Sequence, residues 1–253
     1  MFNELRFAIS FLTLLPLAPK KALEEAKIAN SISFFSLVGL IFSAFTALMI
    51  YLNSFFHNHW VMAILIIVSH ALLSGGLHLD ALMDSHDGLA CSDRPREKIL
   101  EVMKDSRAGA FAVIGLFITL SAQLIFISQA FYELDLYLYL LALAPVLSRF
   151  FLVFELVFFV KQSEEKSSLK TFASANKLRA MILNLAVLLV LIYIYPLTKI
   201  CITVFVLIAF VFSFFLYRFL NYKLKGQNGD SMGCGLVINE AFIYFLIFVF
   251  SAL

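Results

Sequence analysis

Long apolar runs separated by short polar links set the pattern of this chain. Runs long enough to cross a bilayer cover approximately 32–52, 60–83, 109–131, 137–160, 181–197, 200–217 and 237–253. In hydrocarbon each backbone N–H and C=O must find a partner without water, so the runs predict helices. The expected fold is all-α, a polytopic integral membrane protein of about seven transmembrane helices in one domain, 1–253. Two shorter elements join them. The apolar run from Phe7 to Leu17 is too short to cross and contains Pro16, which predicts an N-terminal helix that lies at the interface or re-enters part-way. Ala-Pro-Lys-Lys follows with no small-residue cleavage pattern, so a cleavable signal peptide is not expected. Near residue 93, Asp93 reads as a helix cap and Pro95 as first-turn residue. Ile99, Leu100, Val102 and Met103 then give an amphipathic cytoplasmic helix able to lie against the membrane.

Composition agrees with this picture. Hydrophobic residues make up 62%, phenylalanines number 29, and charged residues are only 14%, far from a soluble domain. The net charge of +2 says little by itself, because the bases are sorted by loop. Arg6, Lys20, Lys21 and Lys27 precede the first span, and residues 53–59 hold neither Lys nor Arg. The next loop carries Arg94, Arg96, Lys98, Lys104 and Arg107, and residues 132–136 carry none. Lys161, Lys166, Lys170, Lys177 and Arg179 follow, then Lys199 alone, then Arg218, Lys223 and Lys225. The positive-inside rule puts the N-terminus and every polar loop on the cytoplasmic side of the cell membrane and the C-terminus outside. A nucleic-acid partner gets no support from bases that serve topology. Cys91, Cys201 and Cys234 have no metal-type spacing and read as small packing residues.

The polar residues nearest the spans carry the candidate chemistry. Asp80, Asp84 and Asp87 stand at offsets of four and seven, which puts three carboxylates within an arc of roughly 60° on one helical face. A lone acidic stripe is usually a solvated face. This one follows a stretch with no Asp, Glu, Lys or Arg between Trp60 and Leu79, so a bound cation is the better partner, and oxygen ligands of this kind suit Mg²⁺. Lys104-Asp105-Ser106-Arg107 gathers the groups that recognise phosphate, Arg as a bidentate clamp and Lys as a point charge. The bland alternative is a positive-inside flank with a helix cap. Gly226 to Gly235 holds four glycines and Asp230 in ten residues and reads as a loop that lets backbone approach a ligand, or simply as a flexible turn. Arg149, in mid-span, calls for a carboxylate partner inside the bundle. His70 and His78 read first as hydrogen-bonded interior histidines.

These polar clusters also carry a resemblance. Gly76-Leu77-His78-Leu79-Asp80, then Asp84, then Asp87-Gly88 resembles the pattern of the cobalamin synthase (adenosylcobinamide-GDP ribazoletransferase) family. Met103 to Phe111 is similar to its second motif, and Gly229-Asp230, Gly233 and Glu240 to its third. Phe11 to Pro16 resembles its opening. The departures are Ala81, Met83, His86, Cys91-Ser92 and Asn228, and none removes a carboxylate. The resemblance implies a Mg²⁺-dependent membrane transferase of the last steps of cobalamin (vitamin B12) biosynthesis. It would join adenosylcobinamide-GDP to α-ribazole or its 5′-phosphate and release GMP. On that reading Asp80, Asp84 and Asp87 are metal ligands, with Asp230 a candidate fourth. Lys104, Ser106 and Arg107 face the pyrophosphate. The general base is left among Asp105, Asp87 and His78. Partners are the two substrates and the lipid bilayer, and a homo-oligomer is left open.

Two rivals differ in class. A CDP-alcohol phosphotransferase shares the Asp84-x-x-Asp87-Gly88 opening, but Ala90-Cys91 stands where its Ala-Arg belongs. A transporter fits intramembrane acids, yet transporters bind near the midplane between repeated halves. Here no repeat is visible and the acids cluster at the rim.

Overall fold

A computed structural model describes residues 1–132, 138–160, 169–195 and 199–251, and every regular element among them is helical. The N-terminal helix α1 (Phe2–Leu12) and the short α2 (Glu25–Asn30) lead through a 3₁₀ turn into α3 (Phe35–Phe56). Then come α4 (His59–Leu73), α5 (Leu77–Ala90), α6 (Arg96–Met103) and α7 (Ala110–Ala130). A second 3₁₀ stretch opens α8 (Ala144–Phe158), and the single turn α9 (Lys170–Ala173) precedes α10 (Lys177–Ile194), α11 (Lys199–Lys223) and α12 (Gly229–Ser251). Lys161, Lys166, most of the neutral stretch 132–136 and part of the link before Lys199 lie outside the described residues.

Six of these helical segments are long and apolar enough to cross a membrane, and α4 with α5 makes a seventh if taken as one broken span. The outward faces support that role. Phe117, Ile118, Leu189, Leu207 and Phe215 are all exposed, a surface suited to lipid tails rather than water. The segment Tyr139–Phe158, by contrast, is buried along most of its length at the centre of the bundle.

Three sequence expectations need correction. The run 60–83 is not one straight span: α4 ends at Leu73 and α5 leaves at 90°. Gly75 and Gly76 take φ of 61° and 76°, a left-handed turn that glycine makes without Cβ strain. The N-terminal segment seals the break, because the Leu14 amide donates to the Leu73 carbonyl at 2.7 Å. A Cβ on Gly75 would sit 2.6 Å from the Leu14 side chain. Hydropathy reads through such a turn because Leu77, Leu79, Leu82 and Met83 keep the running average apolar just beyond it. Second, the glycine-rich stretch is not a loop beyond Asn228. Helix α12 begins at Gly229, eight residues before the expected span. Gly233 lies against Ala81, a Cβ there falling 2.6 Å from that methyl, and so lets α12 press onto α5. Third, α6 starts at Arg96 with Pro95 in the cap position and no side-chain cap bond, so Asp93 does not cap it. Its apolar side packs inward, Ile99 and Met103 being buried with Leu224.

The basic loops meet at one end. Arg96 donates to the Lys225 carbonyl at 2.9 Å and Lys225 to that of Arg94 at 2.5 Å. Arg179 pairs with Glu4 of α1, and the Asn176 amide donates to Asn30 Oδ1 at 2.8 Å. At the far end, His59 rests against Phe131 and Tyr132, and the Tyr195 hydroxyl donates to the Tyr139 carbonyl. The polar motifs therefore share one face of the bundle, as the alternation of basic and neutral loops requires.

Candidate functional site

Close packing of α5 on α12 brings together carboxylates that are about 150 residues apart in the chain. Asp80 and Asp84 lie on α5 and Asp230 in the first turn of α12. With Lys104, Asp105 and Ser106, at the end of α6 and the start of the link to α7, they line a cavity of about 450 Å³. The charges of Asp80, Asp230 and Asp87 all act on Asp84. Lys104 is the cation that acts on Asp230. Four carboxylates and one ammonium line the cavity, and since only Asp105 has a further cation, Arg107, the other three leave it short of positive charge.

The other two sequence candidates on this rim already have partners. Asp87 accepts from the amides of Gly109 at 2.7 Å and Ala112 at 2.8 Å, so its carboxylate caps the N-terminus of α7. It does not line the cavity. Arg107 is turned outward, its side chain 88% exposed, and clamps Asp105 through Nε at 3.1 Å and NH2 at 2.8 Å. That guanidinium holds the Asp105 carboxyl down to about 2, which makes it a weak proton acceptor at neutral pH. His78 is buried, and its Nε2 has no hydrogen-bond partner. It stands in the wall of a second, apolar cavity that Asp230 also lines. Among the described residues, no three His, Cys, Asp or Glu side chains are already arranged as a metal cage.

Deeper in the bundle the charged side chains are paired. Arg149 donates to Glu240 at 2.8 Å and to the Pro145 carbonyl at 2.9 Å, and its guanidinium lies over the Phe42 ring at 3.9 Å. This is the carboxylate partner that a mid-span arginine demanded. Ser148 adds a bond to Glu240 at 3.0 Å, and His70 bonds Thr46 at 3.0 Å. Glu155 is met by Arg218 and Gln227. Sequence reasoning left Glu155 unassigned. It also missed the aromatic wall of the second cavity, because a chain with 29 phenylalanines gives no signal that three of them enclose a site.

Comparison with known proteins gives a consistent result. A family model described as cobalamin-5-phosphate synthase matches residues 4–248. A protein of Desulforamulus reducens named adenosylcobinamide-GDP ribazoletransferase is 30% identical over 98% of this chain and 96% of its own length. One of the same name from Caldanaerobacter subterraneus subsp. tengcongensis is 29% identical over 97% of this chain and 98% of its own. Another, from Roseiflexus sp., is 34% identical over 62% of this chain and 58% of its own. No solved structure matches significantly.

Proposed function

The chain belongs to the cobalamin-5-phosphate synthase family, and on that premise we infer that it transfers the adenosylcobinamide phosphate moiety of adenosylcobinamide-GDP to α-ribazole, or to its 5′-phosphate, with release of GMP. The observation that carries this reading to the residues is the charge imbalance of the 450 Å³ cavity, where Asp80, Asp84 and Asp230 face Lys104. A pyrophosphate adds more negative charge, so a cation must enter with it. Hard oxygen donors fit Mg²⁺, which binds through one or two carboxylates plus substrate phosphates and needs no prebuilt cage. Asp80, Asp84 and Asp230 would hold it, and when bound it would neutralise charge on the phosphate oxygens and the departing GMP.

The chain's own groups do the rest. Lys104 offers a point charge to the pyrophosphate and Ser106 a hydroxyl. Arg107, exposed beside them, exchanges Asp105 for a phosphate and applies its planar fork. Asp87 keeps its two amide bonds and so positions the link 104–109 against the cavity. Each of its oxygens keeps a lone pair beyond the amide bond, so it can hold the helix end and reach a cation as well. In the reaction an acceptor oxygen bonds to phosphorus, the bond from phosphorus to the GMP oxygen breaks, and the acceptor's proton goes to the chain. Asp105 lines the acidic cavity and His78 and Asp87 do not, so Asp105, released when Arg107 turns to the phosphate, is the base this arrangement favours.

The chain is a multi-pass membrane protein, and the positive-inside rule supports a cytoplasmic rim. Cysteines placed at Ser92 and Asn228 should resist labelling from outside intact cells, and labelling there would reverse the orientation. For the activity, purified protein in detergent should release GMP from adenosylcobinamide-GDP only when α-ribazole or its phosphate and Mg²⁺ are present. Turnover of a CDP-alcohol instead, or no release, would overturn the reading.

A further inference from the structure

Resting on that reading, we propose that the apolar cavity behind Asp230 receives the base of the nucleoside acceptor and decides which bases are used. The cavity measures about 280 Å³, near the lower end of small-ligand sites at roughly 300 Å³. That is room for one fused aromatic ring system and far too little for a corrinoid. Phe11 of α1, Phe35 of α3 and Phe172 of α9 enclose one side, with ring centroids 5.4 to 6.1 Å apart. Leu152 and Leu156 of α8 add to the apolar lining. Flat aromatic ligands gain from offset and edge contacts with such rings.

The cavity's position is the second argument. Asp230 borders both this cavity and the acidic one. A nucleoside acceptor needs that layout, with its base held in one compartment while its ribose hydroxyl reaches the phosphorus in the other. The chemistry of the lining then excludes the competing base. Guanine has several donors and acceptors on its edge, and burying them against leucine and phenylalanine leaves them unpaired, which is costly. The benzimidazole of ribazole has a single free ring nitrogen. Asp230 and His78 are the polar side chains of the wall, and His78 Nε2 has no partner. One orphaned histidine nitrogen matches one ring nitrogen.

The test compares acceptors in the intact, detergent-solubilised enzyme. Leu152→Phe shrinks the cavity and Phe172→Leu enlarges it. Steady-state rates are measured with α-ribazole and with the ribosides of unsubstituted benzimidazole and of a naphtho-fused analogue. Leu152→Phe should raise the KM for α-ribazole about tenfold and shift preference toward the unsubstituted base, since one methylene in such a pocket is worth tenfold or more. Phe172→Leu should shift preference toward the larger base. In both variants the KM for adenosylcobinamide-GDP should stay within about twofold of the parent. If base preference is unchanged while the parent enzyme turns over normally, the cavity is not the acceptor site, and co-purifying lipid would be its occupant. If the parent shows no transfer at all, the proposed function fails instead. Should Leu152→Phe not fold, the shift in Phe172→Leu decides alone.

Discussion

Carboxylates in two regions of this molecule are treated in opposite ways. Inside the bundle each has its own cation: Glu240 has Arg149, Glu155 has Arg218, and Glu4, on the buried side of the N-terminal helix, has Arg179. At the rim Asp80, Asp84 and Asp230 share Lys104, while the nearby Arg107 is committed to Asp105. A buried charge without a partner is costly, so the inner pairs hold the fold together. The rim leaves its charges uncompensated where the proposed substrate and cation would arrive. The difference separates carboxylates that hold the fold from carboxylates that wait for a ligand.

Breaking an inner pair should have the largest effect. Arg149→Leu strands Glu240 and should lower stability by about 3–5 kcal/mol, seen as a fall in thermal midpoint of the solubilised protein. Arg149→Leu with Glu240→Gln should recover much of that loss. A single variant as stable as the parent would remove the distinction between the regions. Asp84→Asn makes the reverse prediction. It relieves repulsion among like charges, so the thermal midpoint should hold or rise. The kcat should fall more than about a hundredfold at limiting Mg²⁺, the scale of losing a main electrostatic contact to the transition state. Near-normal turnover would sink the metal assignment.

Arg107→Lys comes next. Lysine satisfies the positive-inside rule but loses the fork, so kcat/KM should drop about tenfold to a hundredfold. A ratio near one means Arg107 serves topology and Asp105 only. The smallest effect belongs to Asp87. As a cap it should cost about 1 kcal/mol of stability when changed to Ala, whereas Asn, still able to accept one amide, should retain substantial activity. An Asp87→Asn enzyme as dead as Asp84→Asn would move Asp87 from cap to ligand.

How far the sequence reached follows the same physics. The spans and the alternation of basic loops were legible because each is a local sum over many residues. That a carboxylate must meet Arg149 was legible too, since the cost of an unpaired charge is general. Which one was not, because Glu240 is 91 residues away and only packing brings it there. Gly75-Gly76 hid a right-angle break inside a continuous hydropathy signal. Gly229 and Gly233 read as a loop, because the alternative use of glycine, close helix approach, depends on what lies opposite. The engagement of Asp87 with Gly109 and Ala112 was invisible for a like reason, since spacing puts it on the face of Asp80 and Asp84 but says nothing of where its oxygens point.

The amide bond from Leu14 to the Leu73 carbonyl has a bearing on how the protein is made. Leu14 leaves the ribosome long before Leu73, with α2 and α3 between them. The N-terminal segment must therefore wait, unpaired, until two membrane helices have followed it. Only then can it close over the Ser74–Gly76 turn and fix the angle at which α5 leaves α4. Assembly of the acidic rim is thus tied to a segment synthesised well before it, and its geometry is set only after much of the bundle is in place.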